Sequence, residues 1–354
     1  MRMPWKWAGA GALALVVALI TAWSATAASS FTVTPLVSDN GVSGTLTDSD
    51  LVNAWGLTSS TTSPWWVADN GTGNSTLYRI PVQGPVQKVA LTVAVGDGPT
   101  GTVFNSTTGF KLKNNSASLF LFDTEGGEIR AWNGTAGTTA EVEVPAADGA
   151  IFKGLAIAQT SAGPRLYATD FHNRRVDVFD GSWQPVNAPG QFVDKTLPDV
   201  YAPFGIQAVG STIFVTYAKT QPKSGDEVDK GHFGYVDAYD AATGQLITRV
   251  ASRGPLNAPW GIAMAPQGFG DLGGDLLVGN FGDGMINAYM PVLGGLSYIP
   301  LGPLTGADGS PLLIDGLWSL QFGNGGGAGP TGTLFFTAGP NDENDGLFGS
   351  ITPG

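Results

Sequence analysis

The sequence contains no cysteine, which excludes disulfides, thiolate metal sites, iron–sulfur clusters, a lipid-modified N-terminal Cys and Cys nucleophiles. Histidine is nearly absent: His172 and His232 are the only two, too few for a three-histidine zinc site. Charge is sparse, at 13% of residues, and lopsided, with 29 Asp and Glu against 17 Lys and Arg. No basic cluster exists to neutralise phosphates, so neither nucleic acid nor an anionic lipid surface is an expected partner. A Gly-x-Ser-x-Gly elbow and a phosphate loop ending in Gly-Lys-Ser/Thr are both missing. Beyond residue 28 no segment sustains helical periodicity.

What is plentiful is glycine, with 52 residues, and proline, with 23, beside a hydrophobic share of 42%. Turn formers mixed with that much apolar material read as many short strands rather than disorder.

The N-terminus reads as an export signal. Arg2 and Lys6 precede an apolar run at 8–22, and Ala25-Thr26-Ala27 supplies the small-x-small pattern of a cleavage site. A signal peptide at 1–27, cut before Ala28, is expected; without a twin-arginine pair it belongs to the general secretory route. The mature protein is then secreted or periplasmic, with no membrane span. An uncleaved anchor is the competing reading, since the apolar run is near the lower length limit for spanning.

Three strand types recur six times over the rest of the chain, roughly every 50–60 residues, which is the spacing of propeller blades. Period-two strands stand at 75–80, 127–132, 174–179, 234–239, 284–289 and 346–351. Short apolar strands lie upstream of each, at 65–69, 119–123, 166–170, 213–217, 276–280 and 334–338. Further upstream are 54–57, 100–103, 153–156, 204–207, 260–263 and 315–319, five of which place a glycine before apolar residues. Strands crowding an axis need that glycine. Fourth strands are weaker, at 88–93, 140–145, 246–251 and 296–301, and the sixth unit has none. A good strand at 31–37 precedes the first unit, and it can complete the sixth by closing the ring and hiding its edges.

The expected fold is therefore an all-β, six-bladed β-propeller closed by the N-terminal strand. Residues 28–354 form one domain, with blades at about 51–93, 98–145, 151–197, 201–251, 256–301 and 312–354. A sandwich would not repeat one strand order six times, and a β-helix would show much shorter rungs.

Several motifs resemble an uncharacterised family of secreted bacterial proteins: LVNAWGL at 51–57, APFGI at 202–206, LNAPWGI at 256–262, LVGNFGDG at 277–284 and FTAGPN at 336–341. YATDFH at 167–172 and VTYAK at 215–219 fit the same pattern. The resemblance spans the chain after the leader and implies an NHL-like propeller, but no activity. Some members carry a C-terminal sorting tail for exosortase; this chain ends in Ile351-Thr-Pro-Gly354, so such sorting is not expected.

In such a ring, loops leading into the innermost strands share one rim with loops leaving the second strands. The first set places Asn53, Trp55, Lys153, Phe204, Trp260 and Trp318 on that rim. The second adds Asp69, Asn70, Asp123, Glu125, Asp170, His172, Tyr217, Lys219, Asn280, Asp283, Asn341 and Glu343. A ligand site would draw on Asn53, Trp55, Asp170, His172, Phe204, Tyr217, Trp260, Asn280 and Trp318, with indoles offering apolar faces. The bland alternative has the tryptophans filling gaps between blades. Asp69, Asp123, Asp170, Asn280 and Asn341 recur at what look like equivalent positions and could supply oxygens to a calcium ion; alternatively each caps its own turn. The long insertion at 219–234, with His232, reads as an exposed, mobile loop.

These readings point to an exported, monomeric propeller of the cell exterior that binds a small molecule, a glycan or an envelope protein. The alternative is a calcium-dependent hydrolase or lyase of the lactonase type built on the same rim.

Overall fold

Six short apolar stretches form the middle of six sheets, each covered on both faces, which is why they read as continuous runs instead of alternating. A computed structural model describes residues 29–221 and 225–354, so the expected signal peptide at 1–27 lies outside the described residues.

Blade 1 comprises Ala54–Thr58, Trp65–Asp69 and Asn74–Arg79, with two short outer pieces, Gln87–Lys88 and Val93–Ala94. Blade 2 follows with Pro99–Phe104, Phe120–Thr124, Ile129–Trp132 and Glu141–Val144. Blade 3 has three strands only: Phe152–Thr160, Gly163–Asp170 and Arg175–Asp180. Blade 4 runs through Tyr201–Val209, Thr212–Lys219, Tyr235–Asp240 and Leu246–Ser252, and blade 5 through Pro259–Met264, Leu276–Asn280, Ile286–Val292 and Ser297–Pro303. Blade 6 takes Leu317–Phe322, Leu334–Ala338 and Leu347–Pro353 from the end of the chain.

Its fourth strand is Phe31–Ser38, antiparallel to Leu347–Pro353, with Val33 opposite Ile351 and Val37 opposite Phe348. Phe31 and Val37 are buried there, so the first strand of the described chain closes the ring with its own apolar face. The only helical element among the described residues is one 3₁₀ turn, Gly134–Ala136. The molecule is an all-β, six-bladed β-propeller.

All six innermost strands are bulged at the same place, between the third residue before and the residue at Leu57, Thr102, Leu155, Ile206, Ile262 and Leu320. Each inner strand packs on the next, and Leu317–Phe322 returns to Ala54–Thr58. At the bulges of blades 1 to 5 stand Gly56, Gly101, Gly154, Gly205 and Gly261, where a Cβ would come within 3.0 Å of the next blade's inner backbone. Crowding at the axis therefore dictates the glycine that the sequence repeats. Threonine hydroxyls tie blade to blade at this level: Thr100 Oγ1 donates to the Phe152 carbonyl at 3.0 Å and Thr169 Oγ1 to the Phe204 carbonyl at 2.6 Å. Thr337 makes the same link to Trp55 across the seam between blades 6 and 1.

Candidate functional site

One residue past the start of each bulge, six side chains occupy matching places around the axis: Trp55, Thr100, Lys153, Phe204, Trp260 and Trp318. The four aromatic ones close the channel. Trp55 stacks on Trp318 with ring centroids 3.6 Å apart, and Phe281 stacks on Trp318 as well, at 4.1 Å. Trp260 meets Trp55 edge-on at 6.2 Å, and Phe204 meets Trp318 at 5.8 Å. Such pairs add about 0.5–1.5 kcal/mol each beyond the area they bury. Trp55, Phe204 and Trp318 are thus covered by one another, while Trp260 also roofs a shaft of about 200 Å³ that forms the other half of the channel.

Above this plug lies a polar mouth. Asn53, at a left-handed φ of 47°, sends its carbonyl oxygen to Trp318 Nε1 at 3.0 Å and its amide to Glu343 at 2.6 Å and Asn70 at 3.2 Å. Asn70 donates onward to Glu125 at 3.0 Å, and Lys153 Nζ donates to the other oxygen of Glu125 at 2.6 Å. The Lys153 ammonium is 3.9 Å from Glu227 and 4.0 Å from Asp226, and it lies 5.1 Å from the centroid of Trp55. Burial pulls the Lys153 pKa down, but Glu227 and Glu125 outweigh it and hold the group above its ordinary range. Burial drives Glu227 the other way from an ordinary acid, up to about 7, against the pull of Lys153. Glu343 is also raised, again chiefly by burial. Two buried polar atoms here have no hydrogen-bond partner among the described residues, Glu227 Oε2 and Trp55 Nε1.

Glu227 corrects the expectation for the insertion at 219–234. Val228 N donates to the Lys219 carbonyl at 2.7 Å, and Gln221 Nε2 donates to the Glu227 carbonyl at 2.8 Å. With these two bonds the segment folds inward and leaves Glu227 6% exposed, over the mouth instead of out in solvent. Residues 222–224 lie outside the described residues.

Of the expected rim residues, Asn53, Trp55, Lys153, Phe204, Trp260, Trp318, Asn70, Glu125 and Glu343 come together around the plug and its mouth. Others do not. Tyr217 is buried in a blade face with its hydroxyl 2.6 Å from that of Tyr239. His172 is exposed and lies over Gly149. Thr100, which completes the axial set, carries no aromatic or charge signal in the sequence. Glu227 was hidden in the insertion.

The expected equivalence of Asp69, Asp123, Asp170, Asn280 and Asn341 is corrected by strand register. Asp69, Asp170 and Asn280 do match, opposite Ala54, Phe152 and Pro259. In blade 2 that place belongs to Thr124, opposite Pro99. Asp123 is one residue out of phase, so it points to the other face of its strand. There it accepts from Gly101 N at 2.5 Å and Thr100 Oγ1 at 2.8 Å inside its own bulge, and burial raises its pKa to about 7. Asp170 caps its turn by accepting from Asn173 N at 3.0 Å, Asn280 Nδ2 donates to Asp283 at 3.0 Å, and exposed Asn341 donates its backbone N–H to Asp315 at 3.0 Å. Asp69 is wholly buried, with its pKa raised well above the usual carboxylate range by desolvation. These five residues do not fit one calcium cage. Among the described residues no group of three or more His, Cys, Asp or Glu is placed to hold a metal ion.

No protein-family model matches the chain. Two proteins of Acanthamoeba polyphaga mimivirus are similar over most of their length. Uncharacterized protein R648 is 31% identical over 341 residues, which cover 89% of this chain and 78% of that one. Uncharacterized protein L690 is 30% identical over 342 residues, covering 89% and 84%. Among solved structures, the soluble aldose sugar dehydrogenase of Escherichia coli superposes with a TM-score of 0.54 at 10% identity, covering 92% of this chain and 100% of that chain. A gluconolactonase from Xanthomonas campestris gives 0.50 at 13% identity, with 86% and 87% covered. At such identities the likeness is one of fold, and the fold shared is the propeller.

Proposed function

The chain belongs to the same family as the mimivirus proteins R648 and L690, and from the geometry of its mouth we propose an exported, non-catalytic binding propeller that holds a small amine- or hydroxyl-bearing molecule there. One observation carries the reading. Glu227 Oε2 is buried beside Lys153 without a hydrogen-bond partner among the described residues, in a mouth where the Glu125 and Glu343 carboxylates are already engaged. A buried acceptor left unpaired costs about 1–3 kcal/mol, and a donor brought by a ligand recovers it. The aromatic plug beneath gives such a ligand a rigid floor and no way through.

Export is supported by Arg2, Lys6, the apolar run at 8–22 and the Ala25-Thr26-Ala27 site. Kinship with secreted bacterial propellers is supported by the LVNAWGL, APFGI and LNAPWGI motifs. The closed ring and the acidic balance support a monomer.

Calorimetric titration of residues 28–354 with ethanolamine, putrescine, glycerol and inositol tests the proposal. At least one should bind saturably, and Glu227→Gln should weaken it at least ten-fold without lowering Tm. If none binds, or if the variant binds equally well, the mouth is only a structural seal.

A further inference from the structure

Blade 3 lacks a fourth strand, and its absence leaves a groove on the flank of the ring. The groove holds about 430 Å³, within the range of roughly 300–1,000 Å³ common to small-molecule sites. One wall is the outer strand of blade 2, through Glu143, Val144 and Pro145; the other is the third strand of blade 3, from Arg175 to Phe179. At one end Trp183 lines it, with its indole N–H donating to the Lys111 carbonyl at 2.8 Å and its ring set edge-on to Phe110 at 5.0 Å. That indole is therefore held in place before any ligand arrives. At the other end Arg175 is gripped by Asp177 through Nε at 2.7 Å and Nη2 at 3.3 Å, while 46% of its side chain stays exposed. Between them Glu143 Oε1 is buried without a hydrogen-bond partner among the described residues.

An extended peptide is the first occupant that a bare strand edge suggests, and this edge refuses one. Asn187 Oδ1 accepts from Val178 N at 3.0 Å, and Asn187 Nδ2 donates to the Val176 carbonyl at 2.7 Å. Val186 N reaches the Val178 carbonyl at 2.8 Å, and Asp180 N reaches the Gln184 carbonyl at 2.9 Å. With both Val178 groups and the Val176 carbonyl taken, an added strand finds no continuous ladder to pair with. What remains open is a fixed aromatic ring, apolar walls, and planar Arg and carboxylate groups that match vicinal hydroxyls. We propose that this flank groove, formed by Trp183, Arg175 and Glu143, is a second binding site, and that it takes a neutral saccharide.

The test uses residues 28–354 titrated calorimetrically with cellotetraose, chitotetraose, mannotetraose and maltotetraose. One of these should bind, and Trp183→Ala should weaken it at least ten-fold. Glu143→Gln, a change at a half-buried position that keeps the fold, should weaken it several-fold. Glu227→Gln, which alters the channel mouth, should leave it unchanged. No binding by any of the four, or binding insensitive to both flank substitutions, overturns the proposal. Loss through Glu227→Gln alone would place the sugar at the mouth and overturn it too.

Discussion

Trp260 donates its indole N–H to the backbone carbonyl of Lys153, 2.7 Å away and two blades round the ring. This bond crosses the axis, so it joins blades that share no strand pairing. Trp260→Phe keeps a ring in the plug but orphans the carbonyl, which costs about 1–3 kcal/mol. Urea unfolding should show that loss as a lower midpoint with an unchanged slope. An unchanged midpoint would mean that the cross-axis bond adds nothing to stability.

Gly205→Ala should be far worse than its chemistry suggests. Its Cβ would come within 3.0 Å of the Trp260 backbone in the neighbouring blade. Two backbones cannot yield as a flexible side chain can, so a loss of about 1–3 kcal/mol or more is expected. Gly332→Ala is the control, since nothing lies within 4 Å of a Cβ there, and it should stay within about 0.5 kcal/mol of the parent. Thermal melts of the two variants side by side decide the matter.

The buried acids set a pH dependence. Glu227 is pushed from 4.5 to about 7 and Asp123 from 3.8 to about 7, in both cases chiefly by burial. An acid whose folded pKa is raised holds its proton after the unfolded chain has released it. Its contribution is therefore whole below the unfolded value and falls away as pH climbs to about 7. Tm should decline with rising pH over that window. Glu227→Gln and Asp123→Asn should each flatten the decline, which separates these sites from the general repulsion of an acidic chain. Parallel Tm profiles for parent and variants would remove both residues from the account.

The closing strand should be the weak seam. Phe31→Ala removes a buried ring from the edge of blade 6 and is expected to cost about 3–5 kcal/mol. A chain beginning at Asp39 would bare the whole length of Leu347–Pro353, and its melt should lose cooperativity or its Tm should drop sharply. A truncated chain that unfolds like the parent would contradict the pairing of Val33 with Ile351.

Much of the ring was legible because its physics is periodic. Gly56, Gly101, Gly154, Gly205 and Gly261 had to recur wherever inner strands crowd the axis, and each left the same mark beside its apolar neighbours. The 31–37 strand stood out because the sixth unit had no outer strand of its own. The rim was half legible. Lys153, Glu125 and Glu343 were placed from loop positions alone.

What failed depended on register or on long-range packing. Asp123 and Thr124 both suit the end of a strand, and only the bulge opposite decides which one matches Asp69. A slip of one residue turns the side chain to the other face, and motif matching cannot see it. Thr100 earned no notice because a lone threonine in a strand is unremarkable until its neighbours at the axis are known. Glu227 sits among polar residues, and its burial goes with the bond from Val228 N to Lys219 and with the Gln221 side-chain amide on its own carbonyl, which no local pattern announces.

Because Phe31 faces Pro353, and Gly354 N bonds the Ser30 carbonyl at 2.7 Å, both termini of the propeller leave from a single spot at the outer edge of blade 6. A bead, fusion partner or support attached at either end would hold the ring from its side like a wheel gripped by the tyre. Both openings at the hub would then stay free to meet solute.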